Sequence, residues 1–104
     1  MTRAILLVDH GSRRAAAHAQ LEAVAEQLRP RVPGDIVAIA HLELAPPDIA
    51  SGIDACLAQG ATRIVVHPFF LGPGRHTSDA IPTEVARARR RHPSLDIRIS
   101  EPLG

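Results

Sequence analysis

The chain has 104 residues, 12 Lys plus Arg against 11 Asp plus Glu, and a formal net charge of +1. That length bounds it to one small domain, and the near-zero charge gives no electrostatic footprint for nucleic acid. An apolar fraction of 45% suffices for a core, but aromatic residues make up only 2%, so Val, Ile, Leu and Ala must fill it. The single cysteine, Cys56, excludes an intrachain disulfide and fits a reducing compartment. No apolar run approaches the ~20 residues of a membrane helix, so no membrane contact is expected. The amino-terminal MTRAILLVDH is too short an apolar stretch for a signal peptide. The expected location is the cytoplasm.

Residues 3–9 read as a first strand, with Ile5 to Val8 continuously apolar, as in a strand buried on both faces. His10, Gly11, Ser12 and Arg13 follow it. A helix is expected from about Arg14 to Arg29, because Leu21, Val24, Ala25 and Leu28 recur at i, i+3, i+4 and i+7. Pro30, Pro33 and Gly34 turn the chain. Ile36 to Leu42 reads as a second strand with Glu43 at its end. Pro46, Pro47 and Asp48 suit the start of a second helix, whose Ile49, Ile53, Cys56 and Leu57 share one face before a stop at Gly60.

The third strand is expected over Arg63 to His67, stopped by Pro68, which has no N–H to give a ladder. Phe69 and Phe70 then sit beside a loop with Gly72, Pro73 and Gly74, which delivers Arg75 and His76. A third helix follows, with Pro82 expected in its first turn, Ile81, Val85 and Ala88 facing inward, and Pro93 ending it. Leu95 to Ile99 is the fourth strand. This βαβαβαβ order, with connections long enough for crossover helices, predicts an α/β three-layer sandwich. The expected sheet is parallel with strand order 2-1-3-4, which places a switch point between strands one and three.

His10 and His76 leave the carboxyl ends of those two strands. Neighbouring strands are about 4.8 Å apart, so loops leaving them can bring two imidazoles onto one divalent transition metal. Glu43, flanking them, can complete a two-His-one-carboxylate set or accept protons. Arg13, Arg14 and Arg75 on the same rim can bind carboxylates or phosphates. Phe69 and Phe70 can plug the core or floor a flat ligand pocket. The expected substrate contacts are Arg13, Phe70, Gly74 and Arg75. His18, His41, His67 and His92 have no comparable partners in the sequence, although His67 lies on the strand that feeds the site. Cys56, on an apolar helical stripe, reads as core. Arg87, Arg89, Arg90 and Arg91 suit the negative end of the third helix.

The blocks VDHGSR, HLELAPPDIASGI and HPFFLGPGRHTSDAIP resemble the small sirohydrochlorin chelatases, the CbiX/SirB-type class II chelatase family. They occur in that family's order and spacing, and the likeness spans nearly the whole chain. The resemblance implies the chelatase-like α/β sandwich and insertion of Co2+, Fe2+ or Ni2+ into sirohydrochlorin or a related tetrapyrrole. The product would feed cobalamin, sirohaem or a nickel-containing coenzyme. Carried over by motif, the metal-binding histidines are His10 and His76, and the assisting glutamate is Glu43. The metal is substrate, and no permanently bound cofactor is implied.

Short members of that family continue past the PLG segment into a final helix, whereas this sequence stops there, so a final helix is not expected. Residues 1–104 then correspond to one half of a class II chelatase, and a homodimer is expected to complete the cleft around the ring. Two other readings differ in kind. A histidine phosphatase also ends its first strand in His-Gly, but places Arg before the His, where this chain has Asp9. A metal- or tetrapyrrole-binding carrier could share the fold without turnover.

Overall fold

The computed structural model describes residues 2–11, 14–42, 46–69 and 77–100, apart from the side chains of residues 17 and 77–80. Four strands alternate with three helices: β1 (Thr2–Asp9), α1 (Ala15–Leu28), β2 (Ile36–His41), α2 (Ile49–Ala58), β3 (Ala61–Pro68), α3 (Thr77–Arg91) and β4 (Asp96–Ile99). Every strand pairing is parallel, and the order is β2-β1-β3-β4. The sheet therefore has the predicted topology.

Alternation along the strands divides the core between two faces. Ala4, Leu6 and Val8 of β1 point to one side, with Ile64 and Val66 of β3 and Ile97 of β4. There they meet Ile49, Ile53 and Cys56 of α2 and Ile81, Val85 and Ala88 of α3. Leu7 of β1 points the other way and packs with Val37 and Ile39 of β2 against Leu21 and Ala25 of α1. Each large aliphatic side chain fully buried here contributes about 1.5–3 kcal/mol. Cys56 lies in the first cluster, wholly buried, and burial pushes its thiol up to about 11. Gly52 lets α2 approach the sheet closely, since a Cβ there would lie 3.0 Å from Ala40 Cβ and 3.0 Å from Leu6 Cδ1.

Local signals set most element ends. Asp48 is the N-cap of α2, its carboxylate accepting from the Ser51 N–H at 2.8 Å, which satisfies one of the helix's orphan donors. Pro46 and Pro47, joined by a cis peptide bond, precede that cap instead of opening the helix. Three further expectations need correction. Pro82 lies inside α3, not in its first turn, because the helix starts at Thr77. Its ring leaves one carbonyl four residues back without the usual donor. β3 runs two residues earlier than expected and includes Pro68, which aligns with Val8 as the last residue of the strand, where a missing N–H costs least. β2 ends at His41, one residue short of Leu42.

The arginine run near the end of α3 does more than complement the helix dipole. Arg89 donates to the Ile97 carbonyl at 2.7 Å and so fastens α3 to β4, while Arg87 pairs with Glu84 one turn back at 3.0 Å.

Candidate active site

β1 is an interior strand, flanked by β2 on one side and β3 on the other. At its carboxyl end three strands finish nearly level. Asp9 aligns with His41 of β2, and Val8 aligns with Pro68 of β3. The backbone then continues the pairing past the strands: Leu42 N–H donates to the Asp9 carbonyl at 2.9 Å, and Phe69 N–H donates to the Val8 carbonyl at 2.6 Å. His10 is the first residue beyond this edge and is exposed. Gly11 follows with φ +98°, a left-handed turn that L side chains rarely adopt. The sequence thus puts an imidazole at the exit of an interior strand and a glycine where the chain must turn away.

His10 stands where the sequence places it. Arg13, Glu43, Phe70, Gly74, Arg75 and His76 lie outside the described residues. The surrounding elements fix where their segments join: β2 stops two residues before Glu43, and α3 begins immediately after His76. In a parallel sheet every strand-to-helix connection leaves the same edge, so all three connections start where His10 does. Among the described residues no group of three or more His, Cys, Asp or Glu side chains could hold a metal ion.

Behind His10 lies an arrangement the sequence did not announce. His41, only 1% exposed, brings its Nδ1 to 2.5 Å from Asp9 Oδ1. Its Nε2 lies 2.9 Å from Nδ1 of His18 on α1, with the two rings 5.0 Å apart and tilted by 45°. An ionised carboxylate can only accept, which assigns the His41 proton to Nδ1. A neutral His41 then offers Nε2 as acceptor to the His18 Nδ1–H. His18 and His41, for which the sequence offers no comparable partners, are thus partnered with each other and, through His41, with Asp9. Strand alternation was the available signal, since it puts Asp9 and His41 on the face covered by α1.

His67 on β3 lies against the Ser100 hydroxyl through Nδ1, while its Nε2 is buried without a hydrogen-bond partner among the described residues. Burial lowers its pKa, favouring the neutral ring. His92, at the opposite end of the sheet, approaches Asp54 at 3.4 Å.

A family model described as CbiX matches residues 4–104. The chain belongs to the CbiX family. A chloroplastic sirohydrochlorin ferrochelatase from Arabidopsis thaliana is 42% identical over 100 residues, 96% of this chain and 44% of that protein. The crystal structure of the sirohydrochlorin chelatase SirB from Bacillus subtilis subspecies spizizenii, in complex with cobalt, matches at TM-score 0.88 and 41% identity. That match covers 100% of this chain and 44% of the other. A proposed cobalamin (vitamin B12) biosynthesis CbiX protein from Marinobacter aquaeolei VT8 matches at TM-score 0.81 and 32% identity, covering 98% of this chain and 82% of that one. The chain spans less than half the length of the first two relatives. Among the described residues no helix is long and apolar enough to cross a membrane.

Proposed function

We propose that this chain inserts a divalent metal ion into sirohydrochlorin or a closely related tetrapyrrole. Co2+ and Fe2+ are the first candidates and Ni2+ a third; the ion is substrate, with no resident cofactor. The reading is supported by the match of the whole chain, at TM-score 0.88, to a cobalt-bound sirohydrochlorin chelatase, together with the exit of His10 from the interior strand.

Metallation replaces two pyrrole N–H protons with one metal ion, so the site needs a labile metal and a base on one face of the ring. In this reading His10 and His76 hold the incoming ion. Neutral imidazoles bind Co2+ and Fe2+ well but release them more readily than thiolates would. Glu43 accepts the departing pyrrole protons. Arg13 and Arg75 meet the carboxylates of the macrocycle, and Phe70 and Gly74 lie against its flat face.

We further propose that residues 1–104 act as one domain in the cytoplasm, consistent with its single, buried cysteine, and that two copies pair. A macrocycle on one face of so small a domain would leave its other face in water, and two-fold pairing closes the cleft. Light scattering at micromolar concentration should give a dimer mass; a monomer with full activity would reject pairing.

The function itself is tested by following the absorbance of sirohydrochlorin with Co2+, Fe2+ and Ni2+ in turn. Metal- and protein-dependent spectral conversion is expected. Tight binding of metal and tetrapyrrole without conversion would instead make the chain a carrier.

A further inference from the structure

Asp9, His41 and His18 form a hydrogen-bonded chain that the proposed metallation chemistry does not use. His41 is the one polar side chain fully buried among the described residues. Its neighbours along the same face of β2 are Val37 and Ile39, both core residues. A leucine or phenylalanine would fill the position without desolvating two ring nitrogens, and that desolvation is offset only when both are hydrogen-bonded. Both are: Nδ1 to Asp9 at 2.5 Å and Nε2 to His18 at 2.9 Å. Directional bonds of this kind fix a relative orientation that apolar packing leaves loose.

What they orient is the candidate site. Asp9 immediately precedes His10. The His41 N–H donates to the Pro47 carbonyl at 2.8 Å, and His41 forms an isolated parallel bridge with Asp48. The described residues on either side of the stretch that carries Glu43, Leu42 before it and Pro47 and Asp48 after it, therefore both lie at His41. One residue thus ties together the strand end before His10, the root of the Glu43 segment, and α1.

We propose that His41 is a positioning residue: through Asp9 and His18 it fixes the turn that carries His10 relative to the segment that carries Glu43. The inference rests on the reading of His10 as metal ligand and Glu43 as proton acceptor, and concerns how the two are held. His41→Phe keeps the ring volume and removes both side-chain hydrogen bonds. His41→Gln keeps an amide able to donate to Asp9.

Two measurements on the full chain test the inference. In steady-state metallation of sirohydrochlorin with saturating Co2+, His41→Phe should lower kcat at least tenfold. KM for the tetrapyrrole should change less than threefold, and His41→Gln should recover part of the loss. In native-state hydrogen exchange, His41→Phe should speed exchange at least tenfold at residues 10–11, 41–42 and 48, while the amides of β3 and β4 keep wild-type rates. An unchanged kcat in an active chain would overturn the inference, as would faster exchange spread evenly over the sheet, which marks general destabilisation. If His41→Phe changes exchange as described but the wild type never metallates sirohydrochlorin, the proposed function fails and the positioning of these segments stands. If local exchange at these residues does not change, the positioning fails whatever the activity.

Discussion

His41 Nδ1 lies 2.5 Å from Asp9 Oδ1, joining the last residues of two adjacent parallel strands by their side chains as well as their backbones. The pair is asymmetric in exposure: the His41 side chain is 1% exposed and the Asp9 carboxylate 20%. Removing the carboxylate should therefore cost more than removing the ring. Asp9→Ala leaves a buried N–H without its acceptor, a loss of about 1–3 kcal/mol, whereas an apolar ring at position 41 leaves unpaired only the Asp9 carboxylate and the His18 ring, both partly exposed to water. Urea unfolding of Asp9→Ala beside His41→Phe checks this. Equal stability of Asp9→Ala and wild type would mean that the contact contributes nothing to folding.

The close approach of α2 to the sheet gives a second prediction. In Gly52→Ala the new methyl would press on Ala40 Cβ and Leu6 Cδ1, each at 3.0 Å. Ala40 Cβ is fixed to the backbone of β2 and Leu6 is fully buried on the interior strand β1, so they can yield little, and such overpacking costs about 1–3 kcal/mol. Thermal unfolding should show a lower midpoint. A midpoint at or above wild type would mean that α2 shifts freely and that the packing of this face is looser than it stands.

The pH dependence of stability has a predicted contribution from His67. Its pKa in the folded chain is lowered from 6.5 by burial. The unfolded chain therefore takes up this proton first as pH falls, which favours unfolding. His67 contributes no penalty above pH 6.5, where both states are neutral, and stability declines as pH drops below 6.5 toward the folded-state pKa. His67→Phe should flatten this part of the stability profile. An unaltered slope between pH 7 and 5 in the variant would remove His67 as its source.

The fold was legible because its signals agree at every level. Continuous β-branched and leucine runs marked strands buried on both faces, and the stripe of Leu21, Val24, Ala25 and Leu28 marked α1. Cys56 was readable as core from its place on the α2 stripe. Less legible was whatever depends on elements meeting in space. The Asp9–His41–His18 chain joins residues 32 and 23 positions apart, and no local pattern specifies how α1 is phased over β2. The end of β3 at Pro68 also escaped, because a proline at the last ladder position gives up only one N–H. Of the candidate site, His10 sits at the strand exit where the pattern of apolar strand, His and Gly placed it. The other named site residues lie on connections whose roots alone the described residues fix.

The most direct test of the account is Co2+-dependent conversion of sirohydrochlorin, followed by absorbance, for the wild type and the double variant His10→Ala/His76→Ala. The account predicts conversion by the wild type and loss of both Co2+ binding and conversion in the variant, with its thermal midpoint retained because His10 is exposed. Conversion that persists in the double variant at the wild-type rate would contradict it.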